Sequence, residues 1–172
     1  LDMGQSDSIA IITAQASALN SEYAGLFAPW VQINTASGTR FIPPVGYIAG
    51  VRNRAHESDG AFRAPAGEIA TARFVTDLFV NYSRADGDTL DTSKVNAIRF
   101  INNTIRNYGW RSLSNDLTNY SLLTGRDMLN RLVTESEKTL EDFVFQSIDG
   151  KGHLITTVNG ALVGIVEPYR VR

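Results

Sequence analysis

The alternation of apolar and polar residues is clearest in the middle of the chain. Residues 95–101 (VNAIRFI) alternate as a half-buried β-strand does. Residues 102–104 (NNT) have the composition of a turn, and residues 105–113 (IRNYGWRSL) then have the pattern of a partner strand. Gly109 within that segment indicates a β-bulge or a close approach to another backbone. The pattern therefore predicts two consecutive, paired strands.

Aromatic and β-branched residues predict a further pair of strands closer to the N-terminus. Residues 22–33 (EYAGLFAPWVQI) have strand composition. Because Pro29 donates no backbone N–H, we expect this strand to be kinked or bulged there. Residues 34–39 (NTASGT) are typical of a turn, and residues 40–42 are predicted to return as a short strand. Together these segments predict a β-hairpin.

Two prolines end that hairpin and favour the start of a helix. Pro43 and Pro44 supply no backbone N–H, and proline suits the first turn of a helix. Apolar residues at helical spacing extend the predicted helix towards His56. Gly46 and Gly50 each cost about 1 kcal/mol relative to alanine within a helix. We therefore expect another element to pack closely against them, so that Gly50→Val would crowd the core and destabilise it.

The charged and apolar residues of the C-terminal third predict another helix. Apolar residues recur at helical spacing between Met128 and Leu140, with charged residues on the other faces. Thr124 is the predicted N-cap, and Asp127 three residues later resembles the second member of a capping box. The apolar run at residues 143–145 (FVF) predicts a short strand.

Three further segments complete the predicted fold. Residues 154–165 repeat apolar side chains every three or four positions, which predicts a final helix. Residues 8–19 fit either a strand that ends in a turn or a weak helix, and residues 77–82 fit a strand or a helix. The mixture predicts an α/β (α+β) fold with a mixed β-sheet flanked by helices, in a single domain spanning residues 1–172.

Composition narrows the class of protein. The chain has 172 residues, 43% of them hydrophobic and 20% charged, with a net charge of −2. This composition is globular, and it argues against a disordered chain or a strongly basic nucleic-acid-binding protein. The absence of cysteine excludes disulfides and thiolate zinc sites. No apolar run approaches the length of a membrane span, so no membrane insertion is predicted.

Acidic residues near the middle of the chain raise the question of a metal site. Residues 85–88 (ADGD) are predicted to form a turn, after which Asp88 or Thr89 caps a short helix that reaches Lys94. These aspartates, together with Asp91, are similar to part of a calcium loop, but the other ligands and the terminal Glu are missing. We interpret the segment as a solvated turn, and no metal or cofactor is predicted.

The histidines give little support to catalysis. His56 and His153 lie far apart in the sequence, and neither has a partner at metal-ligand spacing. No Gly-x-Ser-x-Gly motif is present. A Ser-His-Asp triad is not excluded by this, because its members can be distant in the sequence and adjacent in the fold. These patterns give no positive indication of an active site, and a small soluble hydrolase stays open as an alternative.

The first half of the chain is locally rich in arginine. Aromatic residues are interleaved with these arginines, which is one pattern of a nucleic-acid surface. Acidic residues also lie among them, so ion pairing is the favoured interpretation and no direct nucleic-acid binding is predicted. The arginines are Arg52, Arg54, Arg63, Arg73 and Arg84.

Five short motifs occur in a characteristic order. They are APWV (28–31), IPPVGYIAGV (42–51), DGAFRAPA (59–66), VNAIR (95–99) and YGWRSLS (108–114). In order and spacing this set resembles the core of contractile tail sheath proteins of bacteriophages and related contractile injection systems. The resemblance covers most of residues 26–146.

The resemblance implies a mechanical, non-enzymatic function. Such subunits assemble as stacked hexameric rings around a tail tube, and contraction drives the tube through the target cell envelope. The implied partners are other sheath subunits, the tail tube protein, and baseplate and tail terminator proteins. The implied location is the virion tail, after assembly in the host bacterial cytoplasm. The five arginines named above become candidates for contact with another subunit or with the tube.

Two departures from the sheath pattern stand out. Gly67 lies where the family often has Asn after the Ala-Pro-Ala turn. Family subunits are also longer and carry extended terminal arms, so the chain is expected to be a fragment of a longer subunit that lacks those arms. A binding module of a larger protein is the further alternative.

Overall fold

The structure is a computed structural model that describes residues 1, 3–147, 150 and 152–170. It divides into two compact units, Leu1–Arg126 and Asp127–Arg172. Helices and short strands build an α+β fold, as the sequence predicted. The strands form two three-stranded sheets, both in the first unit.

The helices and strands follow one another in a mixed order. The helices are α1 Ile9–Ser17, α2 Val45–Asp59, α3 Arg84–Thr92, α4 Leu123–Glu141 and α5 His153–Arg170, with a 3₁₀ turn at Gly67–Ala70. The strands are β1 Leu26–Ala28, β2 Val31–Thr35, β3 Gly38–Ile42, β4 Val75–Leu78, β5 Val95–Ile101 and β6 Thr104–Asn107.

The first sheet has the order β1-β5-β6. Strand β1 runs parallel to β5, and β5 runs antiparallel to β6. Asn102 and Asn103 form the intervening turn with positive φ angles of 48° and 62°, which is the backbone that two-residue hairpin turns favour. The predicted strand pair is confirmed. The second strand ends at Asn107, however, and does not continue to Leu113 as the sequence suggested.

The second sheet has the order β3-β2-β4, and its strands are antiparallel. Strands β2 and β3 form the predicted hairpin, with Val31 opposite Ile42. Pro29 lies between β1 and β2, which belong to different sheets. The prediction of one strand, kinked or bulged at Pro29, is therefore wrong, because residues 22–33 include residues of two separate strands with Pro29 between them.

Helix α2 begins at Val45, directly after Pro44, as the sequence predicted, and it extends past His56 to Asp59. Its buried residues Ile48, Val51 and Ala55 recur at helical spacing. The expected close packing against Gly46 and Gly50 is wrong, because a Cβ atom added at either position would meet nothing within 4 Å. These glycines face open space, so Gly50→Val would not crowd the core.

Two predictions around α3 need correction. The N-cap is Ser83, whose hydroxyl accepts a hydrogen bond from the Asp86 N–H while the Asp86 carboxylate accepts one from the Ser83 N–H. These two reciprocal hydrogen bonds form a capping box that begins the helix directly after Ser83, and Asp88 and Thr89 therefore lie inside the helix. The Asp86-Gly87-Asp88 segment is therefore helical, and neither a turn nor part of a calcium loop.

The segments with alternative predictions are now assigned. Residues 8–19 contain helix α1, capped by the Ser8 hydroxyl, and residues 77–82 include the end of strand β4. The final helix α5 is confirmed. Thr124 lies inside α4, which begins at Leu123, so its assignment as N-cap is wrong. Residues 143–145 form a turn instead of a strand.

The first sheet is fixed by one buried amide, that of Asn96 on β5. Its Nδ2 donates hydrogen bonds to the carbonyl oxygens of Leu26 (3.1 Å) and Arg111 (2.9 Å). Its Oδ1 accepts a hydrogen bond from the Arg111 N–H at 2.6 Å. A Cβ atom added at Gly109 would lie 2.9 Å from this oxygen, so the predicted close backbone approach at Gly109 is confirmed.

We predict that Asn96→Ala lowers the free energy of unfolding by roughly 2–4 kcal/mol, because it leaves buried backbone groups unpaired. Urea denaturation followed by circular dichroism measures the change. Asn34→Ala is the matched control, since Asn34 is exposed and its replacement is expected to cost less than about 0.5 kcal/mol. Equal stability of the two variants would contradict the role assigned to Asn96.

Candidate interaction surface

A groove lies between helix α2 and the second sheet of the first unit. We call it the α2 groove. Its volume is about 310 Å³. The lining is mainly apolar and comes from all three strands of the sheet, from α2 and from the segment before β4. Its members include Ile33, Ile42, Val51, Phe74, Val75 and the two exposed glycines of α2.

Tyr47 anchors α2 beside the groove. Its hydroxyl accepts a hydrogen bond from the Asn107 N–H at 2.9 Å and donates one to the Ala70 carbonyl oxygen. Burial raises the pKa of the phenol from 10.0 to about 12. Asn107 in turn donates from its buried side chain to the carbonyl oxygens of Pro65 and Gly109. The helix is thereby tied to the edge of the first sheet.

Two of the five candidate arginines line the α2 groove. Arg54 donates to the carbonyl oxygens of Ile69 and Thr71, both at 3.0 Å, which fixes its guanidinium at the groove. Arg73 is exposed and also lines the groove. These contacts position the charge of Arg54 but do not neutralise it, because both acceptors are uncharged carbonyls.

The other three arginines lie elsewhere in the first unit. Arg52 is exposed on α2, and Arg63 is exposed after the end of that helix, with its Nε 4.0 Å from Asp59. Arg84 begins α3 and lines a different groove. The structure therefore brings together Arg54 and Arg73 in one groove, and places Arg84 in another. Whether these residues contact another subunit stays a prediction.

The groove that Arg84 lines has a mixed polar and apolar lining and a volume of about 550 Å³. The Arg99 guanidinium lies 5.9 Å from the centre of the Tyr108 ring. Asp91 accepts two hydrogen bonds from Arg111, at 2.7 and 2.8 Å, and this side-chain pairing raises the pKa of Arg111. Positive and negative side chains are balanced here, so the groove has no strong preference for a charged ligand.

The described residues contain no group of three or more His, Cys, Asp or Glu side chains that could hold a metal ion. No helix in the described part of the chain has the length and apolar character that a membrane crossing needs. The surface features that stand out are instead those of an interaction surface. The sequence patterns did not predict most of these surface features. One signal was available, because Phe74 is a large apolar residue next to an arginine, and the structure leaves it 85% exposed.

Solved structures of contractile injection systems share this fold. The sheath complex of an extracellular contractile injection system, PVC, in the contracted state matches 97% of the chain with a TM-score of 0.83 and 19% identity. The baseplate of the anti-feeding prophage, AFP, matches 97% with a TM-score of 0.79 and 19% identity. The contracted AFP helical sheath matches 95% with a TM-score of 0.74 and 19% identity.

The likeness covers only part of those longer chains. This chain spans 46%, 43% and 52% of the three solved chains, which is about half their length. No protein-family model and no curated protein matches the sequence. The resemblance to sheath proteins that the five motifs indicated is thus confirmed at the level of the fold.

We predict that the free energy of unfolding falls as the pH rises from about 10 to 12. In the unfolded chain the Tyr47 phenol loses its proton near its usual pKa of 10.0, whereas the folded protein retains the proton up to about 12. Stability from this group is therefore complete below pH 10 and lost as the pH approaches 12. Chemical denaturation across this range measures the decline.

Tyr47→Phe is expected to make that decline shallower. Burial also raises the pKa of Tyr82 to about 12, so the variant retains one of two contributions of the same sign. The variant also leaves the Asn107 N–H and the Ala70 carbonyl without their phenol partner, at a cost of about 1–3 kcal/mol near neutral pH. Parallel pH profiles for wild type and variant would contradict the environment assigned to Tyr47.

Proposed function

We propose that the chain is the core of a structural subunit of a contractile sheath. In the proposed assembly, subunits stack as hexameric rings around a tail tube, and contraction drives the tube through the envelope of a target cell. The single observation that carries this proposal is the likeness of 97% of the chain to the contracted PVC sheath, with a TM-score of 0.83. The order of the five sequence motifs supports it independently.

Contraction requires two alternative sets of contacts between subunits, with the contracted set lower in free energy. Each subunit must therefore hold its shape while its neighbours move. The first unit is suited to this, because buried amides on β5 and β6 bind backbone groups of other segments. Contacts between unlike surfaces of identical subunits generate helical arrays when the rotation does not close a ring. A stack of rings follows from such contacts along the axis.

The exposed arginines of the first unit are the proposed contacts with another subunit or the tube. Arg52, Arg63, Arg73 and Arg84 are exposed. Ion pairs at the rim of an interface set orientation and association rate more than affinity. Such pairs are suited to an assembly that must exchange one set of contacts for another.

The proposed role is non-catalytic, and its partners are the sheath subunits themselves, a tail tube protein, and baseplate and tail terminator proteins. The proposed location is the tail of a virion or of a phage-like particle, with assembly in the cytoplasm of the host bacterium. The solved neighbours are sheath and baseplate assemblies, which supports a location in a tail particle.

Electron microscopy of negatively stained protein tests the proposal. The complete gene product is expressed alone and together with its tail tube protein, and both samples are imaged. We expect tubes or stacked rings with a regular axial repeat in at least the second sample. Well-folded protein that forms neither tubes nor rings in both samples would overturn the proposal.

The same images test the arginines. Charge reversal of Arg63 and Arg84 to Glu is expected to shorten the tubes or reduce their number, while thermal melting stays unchanged because both side chains are exposed. Arg131→Glu is the control, since Arg131 is an exposed arginine on α4 that is not among the five candidates. Tubes of wild-type length in the double variant would remove these arginines from the interface.

A further inference from the structure

The α2 groove has the properties of a docking site for another protein chain. We propose that it binds the side chains of Val144 and Phe145 from a second copy of this chain, in a contact between two molecules. The inference rests on the proposed function, which already requires contacts between copies, and it names the two surfaces of one such contact. The argument begins with the groove.

The groove is apolar and open to solvent. Ile33 and Val75 face it from paired positions on β2 and β4. Gly46 and Gly50 form part of its wall on α2, and an added Cβ atom at either would meet nothing within 4 Å. A cavity of about 150 Å³ is enough to hold a benzene ring. The groove, at about 310 Å³, therefore has space for an aromatic ring and a neighbouring aliphatic side chain.

The small size of Gly46 and Gly50 is explained if a side chain of another molecule binds in the groove. Gly46 lies in the first turn of α2 and Gly50 in its interior, where glycine is less favourable than alanine. Nothing within the first unit packs against them, so the fold itself does not require their small size. A side chain entering from outside would require it, because Cβ atoms at positions 46 and 50 would project into the groove.

The charge of the groove limits what its occupant can be. Arg54 and Arg73 line it, and no acidic residue does so among those that the structure describes. The backbone carbonyls that hold Arg54 leave its charge in place. A ligand with apolar side chains next to carboxylates would complement both the apolar lining of the groove and its two arginines.

One segment of the chain has this chemistry. We call residues 137–145 (EKTLEDFVF) the Phe145 segment. It contains three carboxylates, those of Glu137, Glu141 and Asp142, against one lysine. All three acidic residues are exposed. The same segment supplies two exposed apolar side chains directly after the last of these acidic residues.

Those two apolar side chains are unusually accessible. Val144 is 55% exposed and Phe145 is fully exposed. Phe145 also has a φ of +67°, in the left-handed region that bulky residues rarely adopt. Holding a large aromatic residue in this backbone conformation, with its ring in water, costs free energy, and such outliers concentrate at binding sites. Burial of the ring in the groove of a second copy would offset that cost.

The groove and the Phe145 segment are two different surfaces of the same chain. A contact between them is therefore heterologous, and one molecule can both offer its groove and insert its segment. Repetition of the contact produces an open series of subunits when the rotation does not close. This is the kind of contact that the proposed sheath needs.

Cysteine cross-linking between two variants tests the contact directly, because the chain has no cysteine of its own. Gly50→Cys protein is mixed with Gln146→Cys protein and oxidised mildly, and the disulfide-linked dimers are measured on non-reducing gels. Gln146 is exposed and directly follows Phe145, so this variant keeps the ring that is proposed to bind. We expect mixed dimers well above the level from Thr118→Cys mixed with Gln146→Cys. Thr118 is exposed on a loop that does not line the groove. Mixed dimers no more abundant than in this control would overturn the proposal.

Filling the groove provides a second readout. The reference cross-link forms between Gly46→Cys and Gln146→Cys proteins. Adding Gly50→Leu to the Gly46→Cys protein is expected to abolish this cross-link, while the melting temperature of that protein does not fall. Gly164→Leu is the matched control, because Gly164 is also an exposed helix glycine with nothing within 4 Å of an added Cβ. Full cross-linking in the filled variant would also overturn the proposal.

Charge reversal separates docking from non-specific apolar association. Arg73→Glu and Glu141→Arg are each expected to reduce the yield of mixed dimers about tenfold, and their combination to restore part of it. Equal yields in all of these samples would contradict the assignment. Tubes seen by electron microscopy without the cross-link would reject this contact and leave the proposed function standing. The cross-link without tubes or rings would support the contact and reject the sheath.

Discussion

The hydrogen bonds of the Asn96 side chain are the constraint on which the first unit depends. One amide joins the backbone of β1 to the segment that follows β6, through Leu26 and Arg111. Since the amide is buried, it stabilises the fold only while all of its partners are in place. The same requirement explains Gly109, where a side chain would collide with Asn96. A rigid centre of this kind is suited to the proposed sheath subunit.

Helix α2 is attached to that centre by polar contacts and leaves an apolar surface open. Tyr47 reaches the backbone of Asn107 at the end of β6, and Arg54 reaches the carbonyls before β4. Ile48 of α2 also packs in one buried cluster with Val31 and Leu78 of the second sheet. The α2 groove lies between the helix and that sheet. A ligand in the groove would touch both the helix and the sheet.

Local patterns predicted those elements whose signals do not depend on the rest of the fold. Alternation located β5, and the proline pair located the start of α2. Other features depend on which of several suitable residues forms an interaction, or on the tertiary fold. Ser83 and Asp88 are both good helix caps, and only the reciprocal bonds with Asp86 decide between them. Glycines in a helix have the same sequence signal whether they face the core or solvent. The α2 groove could not be predicted because its lining comes from separate segments of the chain.

The central claim is that this fold serves as the repeating subunit of a sheath whose copies touch through defined surfaces. A helical reconstruction of the assembled complete protein, by electron cryomicroscopy at side-chain resolution, tests it most directly. The account predicts that each subunit contains the fold of residues 1–126 around a tube-sized lumen, with Phe145 of a neighbour in each α2 groove. A lattice that lacks this fold, or the absence of any helical lattice, would contradict the sheath. A lattice whose grooves hold only solvent would contradict the docking contact.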